Sequence, residues 1–262
     1  TLPPGKSTVL NALIGHAQSL DFIISQQARL IKNNYLKQKH AQAVELTSSL
    51  TSRVATRTSQ ACFDAYCAQN FLDNVLRGGW PLLLGTPDHP HIFHIYSRKH
   101  GDLERDYNAF FLSAEYYSQG NGNYRDVNQN RRCDVLLEPR IGTFNIQTFM
   151  NLIQADGYNP LVIQGSRFSL LPSQRRRLLE MVGNPPGLAQ LLEKPFTPGQ
   201  VLRAIEGQTT ALPADELLTQ VVAAAEQILE AEPGEGYWID HWTYNLDLID
   251  TYLSIYPEQE KC

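Results

Sequence analysis

The chain has 262 residues, enough to bury a full core in one large domain or two small ones. Its 42% hydrophobic and 19% charged content is that of an ordinary globular protein, and a net charge of -5 leaves no basic excess to neutralise nucleic-acid phosphates or an anionic membrane. No apolar run approaches the ~18 residues of a membrane-spanning helix and no signal peptide opens the chain, so a cytoplasmic location is expected.

The chain begins at Thr1, in a turn-like Thr-Leu-Pro-Pro-Gly, and is expected to be an excerpt of something longer. Gly5-Lys6-Ser7-Thr8 has the ending of a phosphate-binding loop, but the chain starts too late to show the glycine five positions earlier or the preceding strand that the motif needs. Pro3-Pro4 would also stiffen a loop that must curl round phosphate. A turn feeding a β-strand from Ser7 to Ile14 is the expectation. Helical spacing of Leu20, Ile23, Ile24, Leu30 and Ile31 predicts helix from Ser19 to about Leu50. A second helix is predicted from about Thr58 to Leu76, capped by Ser59 and stopped by Gly78-Gly79. Within it, Cys62 and Cys67 read as small core residues. The four cysteines have neither zinc-ribbon nor Cys-x-x-Cys spacing, so reduced thiols are expected.

Trp80 to Gly85 is expected to cross the core. His89, His91, His94 and His100 follow without helical metal-ligand spacing. His91 to Tyr96 reads as an extended segment, its histidines structural or substrate-contacting rather than metal ligands. Asp102, Glu104 and Asp106 then form a polar stretch before Phe110 and Phe111.

Ser118 to Asp134 has almost no apolar content: two glycines, four asparagines, three arginines and two aspartates. No apolar stripe can be drawn through it, so it reads as a shaped polar loop able to grip a ligand. An EF-hand starting at Asp126 fails, because the sixth position is Arg131 where glycine is required and the twelfth is Leu137 where glutamate is. Gly142 to Ala155 then reads as an amphipathic helix. Residues 158–230 read as a small helical insert of short, proline-separated helices, ending in a long helix from Pro213 to Leu229. From Tyr237 to Pro257 a further helix is predicted, with Leu246, Ile249 and Leu253 as its apolar stripe and an aromatic-acidic front.

In this order of parts, Leu2-Pro3-Pro4-Gly5 through Gly15 looks like the closing strand of a β-sandwich, and Gln69 to Gly79 like the end of an early barrel helix. Gly122-Asn123-Tyr124-Arg125-Asp126 stands where a Gly-Asp-Trp-Asn-Asp acid loop would be. The chain thus resembles the α/α-toroid glycosidases, and among them proteins related to cellobiose phosphorylase. The resemblance implies a mainly α fold: a partial (α/α) toroid of helical hairpins with a short N-terminal β-strand left from a β-sandwich. Residues 1–15 would be that strand, 16–157 linker and first toroid helices, 158–230 the insert, and 231–262 a further toroid helix. The full ring needs more chain than this, so helices from the remaining domains of a parent protein would complete it.

The activity implied is cleavage of a glycosidic bond in an oligo- or polysaccharide with inversion. Asp126 would be the general acid. In hydrolysis a carboxylate ~6.5–9.5 Å away activates water. Asp240, Glu235 or one of Asp102, Glu104 and Asp106 would fill that role. In phosphorolysis inorganic phosphate is co-substrate and no base is needed. No metal or other cofactor is expected. Tyr124, Arg125, Asn128, Gln129 and Arg131 of the loop, with Trp238, His241 and Trp242 opposite, are the expected sugar contacts. Two other readings stand beside this one: a non-catalytic glycan-binding module, and polar clusters that only order irregular structure.

Overall fold

The computed structural model describes residues 2–95, 113–119, 122–233 and 240–261. The protein is mainly α-helical, with two small antiparallel sheets. Ser7–Ile14, expected as a strand, pairs with no other segment among the described residues, and Val9, Leu10 and Ile14 are exposed. A lone strand has no ladder partner for its backbone groups, so the segment carries no regular structure.

The long N-terminal helical stretch divides at Ile31-Lys32 into α1 (Leu20–Leu30) and α2 (Asn33–Thr51). Ser19 caps α1, its Oγ accepting from the Phe22 amide at 3.2 Å. No described residue of α1 is buried. The next helix, α3 (Ala61–Gly78), packs on α2. Its start is fixed by Asp64 rather than by Ser59: the Asp64 carboxylate accepts from the Thr58 amide and the Thr56 hydroxyl, which holds it ionised below the usual carboxylate range. Gly79, at φ 81, ends the helix in a conformation that favours glycine. Cys62 is exposed on α3, not in the core, while Cys67 is partly buried; both are free thiols.

Two strands, β1 (Trp80–Thr86) and β2 (His89–Ile95), form a hairpin turned by Pro87-Asp88. The extended reading of residues 91–95 holds. Trp80–Gly85 is half-buried strand, packed on α10 (Ala214–Ala224).

The Ser118–Asp134 stretch is not an irregular loop. It holds a two-residue strand, β3 (Gly122–Asn123), then α4 (Tyr124–Arg131) and the single turn α5 (Asp134–Leu137). Asn123 caps α4, its Oδ1 accepting from the Arg125 amide at 2.9 Å. The buried face is Tyr124, Val127, Asn128 and Arg131, the i, i+3, i+4, i+7 pattern of a helix stripe built largely from polar side chains. The helix after it, α6, is shorter than expected (Phe144–Asn151).

The segment read as a helical insert contains β4 (Val162–Ser169), which pairs with β3 on one side and with β5 (Glu226–Glu232) on the other. Between Ile163 and Ser166 the ladder slips: three steps along β4 answer two along β5 (Ala231 to Leu229), a bulge at Gln164-Gly165. The helix predicted to Leu229 stops at Ala224, because pairing with β4 draws Glu226–Glu232 into the sheet against their helical propensity. Helices α7 (Pro172–Val182), α8 (Pro186–Leu191) and α9 (Pro198–Ile205) lie between the strands, each with proline in its first turn. Gly183 ends α7 in the left-handed region at φ 83.

One apolar cluster joins α7–α10 to the sheets, with Phe93, Phe168 and Phe196 stacked at its centre, ring centroids 6.1 and 6.3 Å apart. A second cluster, Tyr124, Val127, Phe149, Ile163 and Leu248, joins α4, α6, β4 and α11 (Asp240–Ile255). On α11 the buried face is His241, Asn245 and Leu248; Leu246 of the expected stripe is exposed.

Candidate functional site

Between the two apolar clusters lies a groove of about 1320 Å³. The turn end of the β1–β2 hairpin, the β4 bulge, the start of β5, and α4, α6 and α7 wall it. This volume exceeds the ~300–1,000 Å³ of compact small-molecule sites, so there is room for a larger ligand.

A buried polar cluster stands in this wall. His94 comes from β2, Arg131 from the last turn of α4 and Asn145 from α6; all three line the groove, and Asp134 of α5 stands behind them. One oxygen of the buried Asp134 carboxylate, Oδ2, gathers all three. His94 Nε2 is 2.9 Å from it, Asn145 Nδ2 donates to it at 3.0 Å, and an Arg131 terminal nitrogen lies 3.8 Å away. A charged pair this deep is sustained by such surrounding hydrogen bonds. Burial, and then the positive charge of Arg131, push the His94 pKa down from 6.5 to about 4, against the opposing pull of Asp134. The imidazole is therefore neutral at pH 7.

Beside it Gln119 donates to the His94 carbonyl at 2.9 Å, holding the 113–119 segment against β2. Gln227 Nε2 lies 2.8 Å from the Ile92 carbonyl and 3.1 Å from Ser166 Oγ, so it ties β5 to β2 and β4. His91 packs its ring edge against Phe168 at 5.5 Å, and burial lowers its pKa against the support of Gln227. Phe144, Phe149 and Leu152 give the groove an apolar side.

Comparison with protein-family models, with curated proteins and with solved structures returns no match to this chain.

Among the described residues of the expected site, Arg131 alone lines the groove. Asp126 lies elsewhere on α4, half-buried, with Arg125 Nε 3.2 Å from its Oδ1. Gln129 is exposed. Tyr124, expected to stack on sugar, is fully buried instead. Its hydroxyl lies 3.0 Å from the Phe149 carbonyl and 3.1 Å from Asn245 Oδ1, and burial raises its pKa to about 12. Asn128, also buried, donates to the same Asn245 oxygen. His241 is buried with its Nδ1 2.8 Å from Asn159 Oδ1. Trp242, 37% exposed, faces away from the core. Asp240 opens α11. Glu235, Trp238, Asp102, Glu104 and Asp106 lie outside the described residues.

Sequence reasoning missed Asn145, Gln119, Ser166 and Gln227 as groove-lining residues, and Asp134 as the carboxylate behind them. His94 stood only as one of four histidines. The available signal was the extended reading of 91–96, which places His91 and His94 on a strand.

Among the described residues no His/Cys/Asp/Glu group is arranged to hold a metal ion, and no helix is long and apolar enough to cross a membrane.

Proposed function

We propose that this chain is the sugar-holding part of a carbohydrate-active enzyme, and that the groove binds a segment of an oligo- or polysaccharide. The observation that carries this is the lining. Gln119, Asn145, Gln147, Ser166, Gln220 and Gln227 put neutral amide and hydroxyl groups in the wall of an open groove, beside Asp88, Arg177 and Glu226 and an apolar side; Asn145 and Gln227 offer their side-chain oxygens, since their amide N–H groups are taken within the fold. Neutral amides and hydroxyls match sugar hydroxyls, and an apolar wall matches the C–H face of a pyranose. The resemblance to toroid glycosidases points the same way: the packed pair α2–α3 is the part that would join a ring of helical hairpins. The free thiols of Cys62, Cys67 and Cys133 suit a reducing compartment such as the cytoplasm.

The cleaving form of this reading would have Asp126 deliver the proton to the leaving oxygen, with Asp240 or Glu235 activating water or phosphate attacking directly; Asp126 does not line the groove, so the bond cleaved would lie outside the stretch of sugar that the groove holds. Arg125 has to release the Asp126 carboxylate for that role, since a carboxylate held by a guanidinium acts as an acceptor. Calorimetric titration of the chain with cellotetraose tests sugar binding. Incubating the protein with β-linked glucans, with and without phosphate, tests cleavage. Sugar phosphate marks phosphorolysis, reducing sugar alone marks hydrolysis, and neither product sinks the catalytic form. Asp126→Asn should abolish turnover, keep sugar affinity, and change stability by no more than about 0.5 kcal/mol, as a partly exposed site does.

A second reading is favoured for one feature. The buried contacts of Tyr124 and Asn128 with Asn245 are those of a network that orders the fold, so these two residues have a structural role whatever the groove binds.

A further inference from the structure

The two nitrogens of the His94 ring have unequal surroundings. Nε2 is 2.9 Å from Asp134 Oδ2. An ionised carboxylate only accepts hydrogen bonds, so Nε2 carries the proton of the neutral ring and Nδ1 keeps a lone pair. Asn145 and Arg131 direct their own nitrogens at the same Asp134 oxygen, which fixes the carboxylate from two further sides and with it the plane and tautomer of the imidazole. Among the described residues Nδ1 has no hydrogen-bond partner, and the ring forms part of the groove wall. Backbone anchoring by Gln119 holds this part of β2 in place.

We propose that Nδ1 of His94 is a ligand-binding acceptor, taking a hydrogen bond from a hydroxyl of a polyhydroxylated ligand seated in the groove, with Asp134 as its positioning residue. This rests on the glycan reading above and deepens it by assigning the residue that selects for a hydroxyl donor. A neutral ring with a fixed tautomer discriminates against an ether or methoxyl oxygen at that point, because two acceptors face one another. The charged groups facing the ring are Arg131 and Asp134, and the Asp134 contact is made at Nε2, not at Nδ1.

The test begins with the unliganded wild-type chain labelled with ¹⁵N-histidine. A lone-pair nitrogen shift at His94 Nδ1 is expected; a proton on Nδ1 overturns the proposal whatever the ligand. Cellotetraose is then titrated into the wild type and into His94→Gln. Glutamine places an N–H donor near the position of Nε2, so it keeps the Asp134 contact and deletes the Nδ1 acceptor. Affinity should fall about tenfold, the loss expected of one neutral hydrogen bond, and the wild-type Nδ1 resonance should move on binding. Equal affinity in the two proteins overturns the proposal while leaving the glycan reading intact. A wild type that binds no sugar overturns both. Should His94→Gln fail to fold, the wild-type resonance decides: an Nδ1 signal unmoved at saturating sugar overturns the proposal.

Discussion

Acid should destabilise this protein through His94 in a defined window. The ring is held at a pKa of about 4 in the folded chain, against its ordinary 6.5 when unfolded. Between these values the unfolded state binds more protons than the folded one, so stability rises with pH there. The contribution is fully present above about pH 6.5, is lost as pH falls toward 4, and changes no further below that. At 1.36 kcal/mol per unit the difference amounts to about 3 kcal/mol. Urea unfolding at pH 7.5, 6.0, 5.0 and 4.5, by circular dichroism, gives the stability of the parent and of His94→Gln at each pH. Other titrating groups are common to both proteins, so the parent-minus-variant difference isolates the imidazole. That difference should fall by about 2–3 kcal/mol from pH 7.5 to 4.5. Parallel curves would refute the reasoning, since they would mean that the ring gains its proton as easily in the fold as outside it.

Tyr124→Phe removes a buried hydroxyl from between the Phe149 carbonyl and Asn245, and should cost about 1–3 kcal/mol in urea unfolding with little change in m-value. Phe168→Ala empties the centre of the larger apolar cluster and should cost about 3–5 kcal/mol by the same assay. Gly199→Ala puts a methyl group 2.1 Å from the Tyr116 carbonyl oxygen. Since backbone must shift to admit it, the substitution should lower thermal stability by about 1–3 kcal/mol and loosen the 113–119 segment, read as faster amide exchange at Tyr117 and Gln119.

Some of the fold could be read from residue types alone. Gly78-Gly79 stops α3 as expected, the extended character of residues 91–95 is real, and the prolines before α7, α8 and α9 mark true helix starts. What escaped has one common cause. Periodicity arguments follow apolar side chains, and here two helices turn polar faces inward. On α4 the buried set Tyr124, Val127, Asn128 and Arg131 has perfect helical spacing, yet Asn128 and Arg131 count as surface in any hydrophobic reading. On α11, His241 and Asn245 take inward positions while Leu246 is exposed. Strand β4 was hidden differently: the bulge at Gln164-Gly165 breaks its alternation. Only after β4 and β5 pair do Ser166 and Gln227 come together, so no local pattern announces the groove.

The contacts between α4 and α11 have a consequence for how the molecule assembles in time. Tyr124 and Asn245 stand 121 residues apart in the chain, and Arg132 reaches Asp247 across 115. Such pairs form only after a long loop has closed, so their reward arrives late and folding is slowed by the search. Until α11 docks, α4 is an eight-residue segment with unsatisfied amides and a phenol on its inner face, too short to persist alone. Refolding followed by pulsed amide exchange should therefore show protection of α4 arriving together with that of α11, and later than that of the local β1–β2 hairpin.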